Sequence, residues 1–145
     1  MDEKYEVLRL QNQLCFPLYA ASREIVKKYT PYLERLDLTY TQYITMMVLW
    51  EEHEISVKAL GEKLFLDSGT MTPVLKALEK KGLVSRARSE ADERVLIVTV
   101  TQEGLLLRDQ ALEIPTAVGG CIGLEPEEAA ALYHILYKIL GRDQL

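Results

Sequence analysis

The sequence predicts a mainly helical fold with one small β-hairpin, and three observations support this class. Apolar residues recur at steps of three and four along most of the 145 residues, which is the period of amphipathic helices. One tract, residues 83–100, instead contains extended, β-branched runs on either side of a polar tip. The composition, with 48% hydrophobic and 27% charged residues, is that of an ordinary globular protein. We therefore expect a single domain over residues 1–145.

The first helix is predicted over about 6–30. Pro17 interrupts its apolar pattern, and because proline lacks an N–H the helix either kinks at this residue or begins close to it. Thr39 and Gln42 form a capping box that starts a second helix, which extends to about Glu52. Its apolar pattern passes through Tyr43, Ile44, Met47 and Trp50.

A short third helix over 57–64 is capped by Ser56 and buries Leu60 and Leu64. A tight turn over 65–69 leads to a fourth helix, capped by Asp67 or Ser68 and stopped by Gly82. Its inward face is predicted to contain Met71, Val74, Leu75 and Leu78.

The β-hairpin is followed by two further helices. Thr101 caps a fifth helix that extends to about Glu113, and Pro115 ends it. Gly119 and Gly120 then supply a break, and Pro126 opens the last helix. One face of that helix carries Leu132, Ile135, Leu136, Ile139 and Leu140.

This order of elements predicts a winged helix-turn-helix over about 40–101. In such a module the second short helix enters the major groove and the hairpin, or wing, reaches toward the minor groove of double-stranded DNA. The helices over 5–30 and 102–141 carry apolar stripes that the small module cannot cover. We expect them to form a homodimer, which would bind a pseudo-palindromic operator.

The charge distribution is compatible with DNA binding although the net charge is −5. Residues 58–94 contain eight Lys/Arg against six Asp/Glu, a balance of +2, so the remainder carries −7. The candidate DNA contacts are the hydroxyls and N–H groups at the start of the fourth helix, a lysine further along it, two arginines on the first hairpin strand, and an arginine after the hairpin tip with an aspartate to orient it. These residues are Ser68, Gly69, Thr70, Lys76, Arg86, Arg88, Arg94 and Asp92.

Other classes fit poorly. The acidic N-terminus precedes no apolar stretch, and no segment approaches the ~18 apolar residues of a membrane span, so we expect a cytoplasmic protein without a membrane partner. The two cysteines and two histidines have no zinc-site spacing, and no metal or cofactor is predicted.

Cys15 is a candidate reactive thiol. If the first helix begins near Pro17, Cys15 lies at its N-terminus, where the helix dipole favours a thiolate, and Tyr19 lies one turn further on. A thiolate oxidised to a sulfenic acid can be trapped as a disulfide, and Cys121 could be the second thiol. Alternatively, both cysteines are small packed residues.

Several motifs together resemble the organic hydroperoxide resistance regulators of the MarR family, over about residues 8–115. They are NQLCF at 12–16, LYAASR at 18–23, LTYTQY at 38–43, LDSGTMTP at 66–73 and RSEADER at 88–94. The resemblance implies a dimeric repressor that leaves its operator when its N-terminal cysteine, here Cys15, is oxidised by an organic hydroperoxide. It also implies that Tyr29 and Tyr40 hydrogen-bond that cysteine and that Tyr19 belongs to the same pocket.

For the wing, the resemblance implies that Arg94 enters the minor groove with Asp92 orienting it. Cys121 lies where some members carry the second cysteine of an intersubunit disulfide, which indicates the two-cysteine type. Others use one cysteine and an external thiol. Three alternatives stay open from the sequence: a repressor released by a small aromatic ligand, a thiol-dependent peroxidase, and a DNA-binding protein that senses nothing.

Overall fold

The computed structural model of the chain describes residues 2–142. This part of the chain contains seven α-helices and a three-stranded antiparallel sheet, preceded by two short 3-10 helices, Glu3–Leu8 and Leu10–Asn12. The mainly helical class and the hairpin are therefore confirmed. The helices are α1 (Cys15–Glu34), α2 (Tyr40–Glu52), α3 (Val57–Leu64), α4 (Ser68–Lys80), α5 (Gln102–Ala111), α6 (Ile114–Ile122) and α7 (Pro126–Leu140), and the strands are β1 (Glu54–Ser56), β2 (Val84–Arg88) and β3 (Leu96–Val100).

Local side-chain caps start four of these helices, as their sequences predict. The Thr39 hydroxyl accepts from the Gln42 N–H while the Gln42 side chain accepts from the Thr39 N–H, which completes the capping box of α2. Ser56 and Thr101 cap α3 and α5 in the same way. Of the two candidates for α4, Asp67 is the cap.

The first helix differs from the prediction over 6–30, because α1 begins at Cys15. The preceding segment stays non-α-helical, with the Asn12 and Gln13 side chains donating to backbone carbonyls six residues earlier. Pro17 occupies the first turn of α1, where a proline costs no helical hydrogen bond. The chain thus takes the second of the two predicted outcomes at Pro17: the helix starts there and does not kink.

The predicted break at Gly119 and Gly120 is wrong. Both glycines lie inside α6, and Pro115, predicted to end the fifth helix, lies in the first turn of α6. A proline at a helix start and one after a helix end give the same local signal. Because Val118 is fully buried, packing of α6 outweighs the weak helix propensity of the glycines; the break comes at Gly123, which has φ +78°.

Strand β1 is a further difference, since the sequence predicted only a hairpin. The sheet order is β1-β3-β2, and Ile55 of β1 pairs with Val98 of β3. A three-residue strand carries no periodicity of its own. It forms because β3, forty residues away, supplies its hydrogen-bond partners.

The hydrophobic core lies between α2, α3, α4 and the sheet. It contains the predicted Leu60, Met71, Leu75 and Leu78, each fully buried. The buried face of α2 is rotated from the predicted one: Met47 is 43% exposed, whereas Met46 and Leu49 are fully buried. Adjacent helical residues point about 100° apart. Because α2 has apolar side chains on all sides, its sequence pattern did not determine which face is buried.

Two apolar surfaces have no cover within the chain. The C-terminal half of α1 packs on α6, where Leu33, Ile114 and Val118 are buried. The N-terminal half of α1 and all of α7 bury no residue. Their exposed large apolar side chains are Phe16, Leu18, Tyr19, Leu132, Tyr133, Ile135, Ile139 and Leu140.

Candidate DNA interface and thiol site

The N-terminus of α4 presents three exposed residues, Ser68, Gly69 and Thr70. The Asp67 carboxylate accepts a hydrogen bond from the Thr70 N–H at 2.8 Å. Hydrogen bonds from Thr70, the backbone one first, hold the pKa of Asp67 below its ordinary value. The Thr70 N–H is therefore already satisfied. The Thr70 hydroxyl and the Gly69 N–H also donate to Asp67, so this helix end offers the hydroxyl and the N–H of Ser68 to a phosphate.

The basic tract over 76–88 divides into free and engaged side chains. Lys76 and Arg88 are exposed. The Arg86 guanidinium instead lies 3.2 Å from the Glu79 carboxylate of α4, with its side chain 18% exposed, and this contact lowers the pKa of Glu79. The Lys81 ammonium donates to the Gln42 side chain at 2.9 Å. Arg86 and Lys81 thus bind other parts of the same chain, which the sequence did not reveal.

The tip of the wing is organised by Asp92. Its carboxylate accepts from the Arg94 backbone N–H at 3.0 Å and from the Arg94 guanidinium at 3.0 and 3.1 Å. The side-chain hydrogen bond from Arg94 is the largest cause of the lowered pKa of Asp92. The Arg94 side chain is nevertheless 90% exposed. The predicted contact between these two residues is therefore present, with the guanidinium open to solvent.

A tyrosine cluster lies where α1 meets α2. The ring centroids of Tyr29 and Tyr40 are 4.9 Å apart, and Tyr43 joins them at 5.7 Å from Tyr29. Burial first, and then the neighbouring Tyr29, raise the pKa of Tyr40 above its ordinary value. The hydroxyl of Tyr40 therefore stays protonated at neutral pH and can donate a hydrogen bond. The sequence placed Tyr43 only in the helix pattern, and its membership of the cluster appears only in three dimensions.

Tyr19 lies outside that cluster. It is 58% exposed, and its contacts are with Arg23, whose guanidinium lies 5.5 Å from the Tyr19 ring centroid. The predicted pocket of three tyrosines is therefore not assembled within one chain. Only Tyr29 and Tyr40 come together.

Cys15 is exposed and is the first residue of α1. Residues close to Cys15 in sequence line a groove of about 750 Å³; they include Leu8, Leu10, Phe16 and Pro17. Tyr29 lies fourteen residues further along the same helix, which corresponds to about 21 Å at 1.5 Å per residue. Cys15 therefore cannot reach the Tyr29–Tyr40 cluster of its own chain.

Cys121 is also exposed, near the end of α6. The structure records both cysteines as free thiols. Among residues 2–142, no group of three or more His, Cys, Asp or Glu side chains could hold a metal ion. In the same range, no helix is long and apolar enough to cross a membrane.

Residues 27–110 match the family described as transcriptional regulator SarA/Rot. Over 140 residues the chain is 45% identical to the organic hydroperoxide resistance transcriptional regulator of Bacillus subtilis, covering 97% of this chain and 95% of that relative. The chain belongs to the MarR-family transcriptional regulators, in the group of the organic hydroperoxide resistance regulators. The resemblance carried by the sequence motifs is thereby confirmed.

Solved structures of DNA-bound regulators have the same fold as this chain. It is similar to overoxidised AbfR bound to DNA, with 37% identity, a TM-score of 0.78, and coverage of 95% of this chain and 97% of the other. A MarR variant from E. coli complexed with operator DNA superimposes with a TM-score of 0.80 at 23% identity, covering 97% and 99%. The winged helix-turn-helix of this regulator is thus confirmed.

Proposed function

We propose that this regulator is a homodimeric repressor that binds a pseudo-palindromic operator while Cys15 is reduced and releases it when an organic hydroperoxide oxidises Cys15. The observation that carries the proposal is the position of Cys15. It is an exposed thiol at the first residue of a long helix, in a chain 45% identical to an organic hydroperoxide resistance regulator. A groove lined by Leu8, Leu10, Phe16 and Pro17, residues close to Cys15 in sequence, would suit an organic peroxide better than hydrogen peroxide.

The uncovered apolar faces support the homodimer. Exposing the α7 stripe and the N-terminal half of α1 to water would be unfavourable, and a second copy can bury both. The dimer also resolves the separation between Cys15 and the Tyr29–Tyr40 cluster. Since Cys15 lies about 21 Å along the helix from its own Tyr29, the tyrosines that hydrogen-bond it are supplied by the other subunit.

DNA binding is assigned to α4 and the wing. The start of α4, with Ser68, Gly69 and Thr70, would contact phosphates, and Lys76 would reach the DNA from the same helix. Arg88 and Arg94 extend the basic surface along the wing, with Arg94 entering the minor groove. Arg86 contributes through its ion pair with Glu79, which ties the wing to α4.

The chemistry requires only the thiol and the peroxide. The Cys15 sulfur, reacting as its thiolate, attacks the distal oxygen of ROOH. The O–O bond breaks, the alkoxide leaves and is protonated to ROH, and Cys15 becomes a sulfenic acid. The Cys121 thiol of the other subunit then displaces water from this sulfenic acid, forming an intersubunit disulfide. The DNA-binding modules of the two subunits then shift relative to each other, and the operator is released.

This cycle makes the protein a stoichiometric switch and not an enzyme. One peroxide is consumed per oxidised site, and the protein works without metal or cofactor. Because its target is the chromosome, it acts in the cytoplasm. A thiol-dependent peroxidase would instead consume peroxide continuously when supplied with a recycling thiol.

The proposal is tested by fluorescence anisotropy on a labelled duplex from the promoter of the chain's own gene. Reduced protein should bind, protein treated with one equivalent of cumene hydroperoxide per subunit should not, and dithiothreitol should restore binding. Non-reducing electrophoresis of the same samples should show a covalent dimer that the Cys121→Ser variant does not form. Binding that ignores the peroxide would refute the sensor function, and a covalent dimer in Cys121→Ser would refute the Cys15–Cys121 pairing.

A second candidate function, release by a small aromatic ligand, is favoured by one cavity. A cleft of about 190 Å³ between α2 and α5 is lined by Tyr43, Trp50 and Arg108, among others. Two aromatic walls and a guanidinium suit an aromatic carboxylate. On this hypothesis Cys15→Ser would leave release unchanged, and Arg108→Gln would abolish it.

A further inference from the structure

One lysine outside the candidate DNA contacts joins α4 to α2 and to the turn after α1. Lys81 is the C-cap residue of α4. Its ammonium donates to the backbone carbonyl of Asp37 and, at 2.9 Å, to the side-chain oxygen of Gln42. Its side chain is only 27% exposed. A lysine that would ordinarily extend into solvent is thus folded back against the body of the protein.

The two acceptors belong to the corner between α1 and α2. Asp37 lies in the turn after α1 and has a positive φ of 54°. Gln42 is 8% exposed, and its oxygen also accepts from the Thr39 N–H in the capping box that starts α2. The Asp37 carboxylate, 3.7 Å away and 91% exposed, adds little because water screens it.

Through these contacts Lys81 connects the helix that begins at Cys15 with the helix assigned to DNA. Helix α1 begins at Cys15 and ends just before the corner, about 30 Å away at 1.5 Å per residue. Helix α4 begins at the residues assigned to DNA and ends at Lys80, followed by the C-cap residue Lys81. Hydrogen bonds from a charged donor are stronger than those between neutral groups. Both hydrogen bonds of the Lys81 ammonium cross from the end of α4 to the corner between α1 and α2.

We propose that Lys81 is a positioning residue, which sets the placement of α4 from the α1–α2 corner and transmits a displacement of α1 to the DNA-reading helix. The transmission rests on the proposed function; the positioning of α4 requires only that the protein binds DNA. When oxidation of Cys15 shifts α1, the corner moves and draws the C-terminal end of α4 with it.

The competing explanation is that Lys81 is one more cation contacting a phosphate, and the salt dependence of binding distinguishes the two. Removing one phosphate contact reduces the slope of log Kd against log salt concentration by about 0.9. Removing a positioning residue weakens binding but leaves that slope unchanged. Lys80, the exposed neighbour at the end of α4, provides a control with the same change of charge.

The experiment measures Kd on the labelled promoter duplex at several KCl concentrations for Lys81→Met, Lys81→Arg and Lys80→Met, each reduced and peroxide-treated. In the reduced protein we expect Lys81→Met to raise Kd about tenfold with an unchanged slope, the effect of losing charged hydrogen bonds. Lys81→Arg, which keeps the charge and the donors, should largely restore binding. The ratio of oxidised to reduced Kd should fall about fivefold or more in Lys81→Met, the lower end of ordinary coupling.

Gln42→Met provides a second route if Lys81→Met does not fold. It removes one of the two acceptors of Lys81 without changing the charge, so it should reproduce part of the weaker binding and of the smaller ratio. The proposal is overturned if Lys81→Met behaves like Lys80→Met, or if its salt slope drops by about 0.9. If the wild type itself ignores peroxide, the proposed function fails, and the Kd values of the reduced proteins still decide whether Lys81 positions α4.

Discussion

Asp92 holds Arg94 through three hydrogen bonds at the tip of the wing, two of them to the guanidinium. An exposed ion pair of this kind contributes little to stability. Its effect is on conformation, because the long arginine side chain is kept in one orientation before any DNA arrives. A side chain that is already oriented loses less entropy on binding.

We predict that Asp92→Asn weakens operator binding about threefold to tenfold by releasing Arg94 from this orientation. The substitution also removes a negative charge, which by itself would strengthen binding to DNA. Glu93→Gln makes the same change of charge one residue away and should bind as well as the wild type or better. Anisotropy titrations at one salt concentration compare the variants, and equal strengthening in both would exclude an orienting role for Asp92.

Gly104 is predicted to tolerate no side chain. A Cβ there would lie 2.7 Å from Val100 Cγ2 and closer still to the Leu83 carbonyl oxygen. We expect Gly104→Ala to lower the free energy of unfolding by about 3 kcal/mol, the upper range for overpacking. Urea denaturation measures it. Gly119→Ala, where nothing lies within 4 Å, should instead raise stability by about 0.5–1 kcal/mol, and a similar loss in both would refute the steric explanation.

The Asp67 cap gives a prediction for pH. The pKa of Asp67 is lowered in the folded protein below its ordinary value of 3.8, so the charged form stabilises the fold above that value. This stabilisation is lost as the pH falls through the lower, folded-state pKa. Asp67→Ala should therefore melt below the wild type at pH 7, with a gap that closes as the pH drops below 3.8.

Asp67→Asn is the matched control for that experiment. Its amide oxygen can cap α4 at every pH, so its melting temperature should not show the additional loss in acid. A gap between Asp67→Ala and the wild type that stays constant from pH 7 to pH 3 would show that the carboxylate charge is irrelevant.

The uncovered stripe of α7 predicts the site of dimerisation. Ile135→Asp places a charge among exposed apolar side chains that we assign to the subunit interface, and burying that charge would be costly. Sedimentation velocity should find the wild type as a dimer and Ile135→Asp shifted to monomer. His134→Asp, on the neighbouring position, should remain dimeric. A dimeric Ile135→Asp would place the interface elsewhere.

Short-range signals account for what the sequence predicted well. The caps at Thr39, Ser56 and Thr101 act on N–H groups only three residues away, so their pattern is visible in the sequence itself. Asp92 and Arg94 are two residues apart, and their contact was predictable for the same reason. The roles of Cys15 and the tyrosines came from a family resemblance and remain predictions.

Long-range contacts account for what the sequence could not show. Strand β1 exists because of β3, and the face of α2 is set by packing that buries Met46 in place of Met47. Lys81 had the appearance of one charge in a basic tract, yet its acceptors lie about forty residues earlier.

The most direct test of the central claim is a titration of the protein–DNA complex with cumene hydroperoxide. Fluorescence anisotropy monitors release of the labelled promoter duplex, with the wild type and Cys15→Ser measured side by side. We predict that the wild type releases the duplex completely by about one equivalent per subunit, the stoichiometry of sulfenic acid formation. Cys15→Ser should bind the same duplex and stay bound throughout. Release of Cys15→Ser at the same peroxide dose, or retention of the wild type, would contradict a switch based on Cys15.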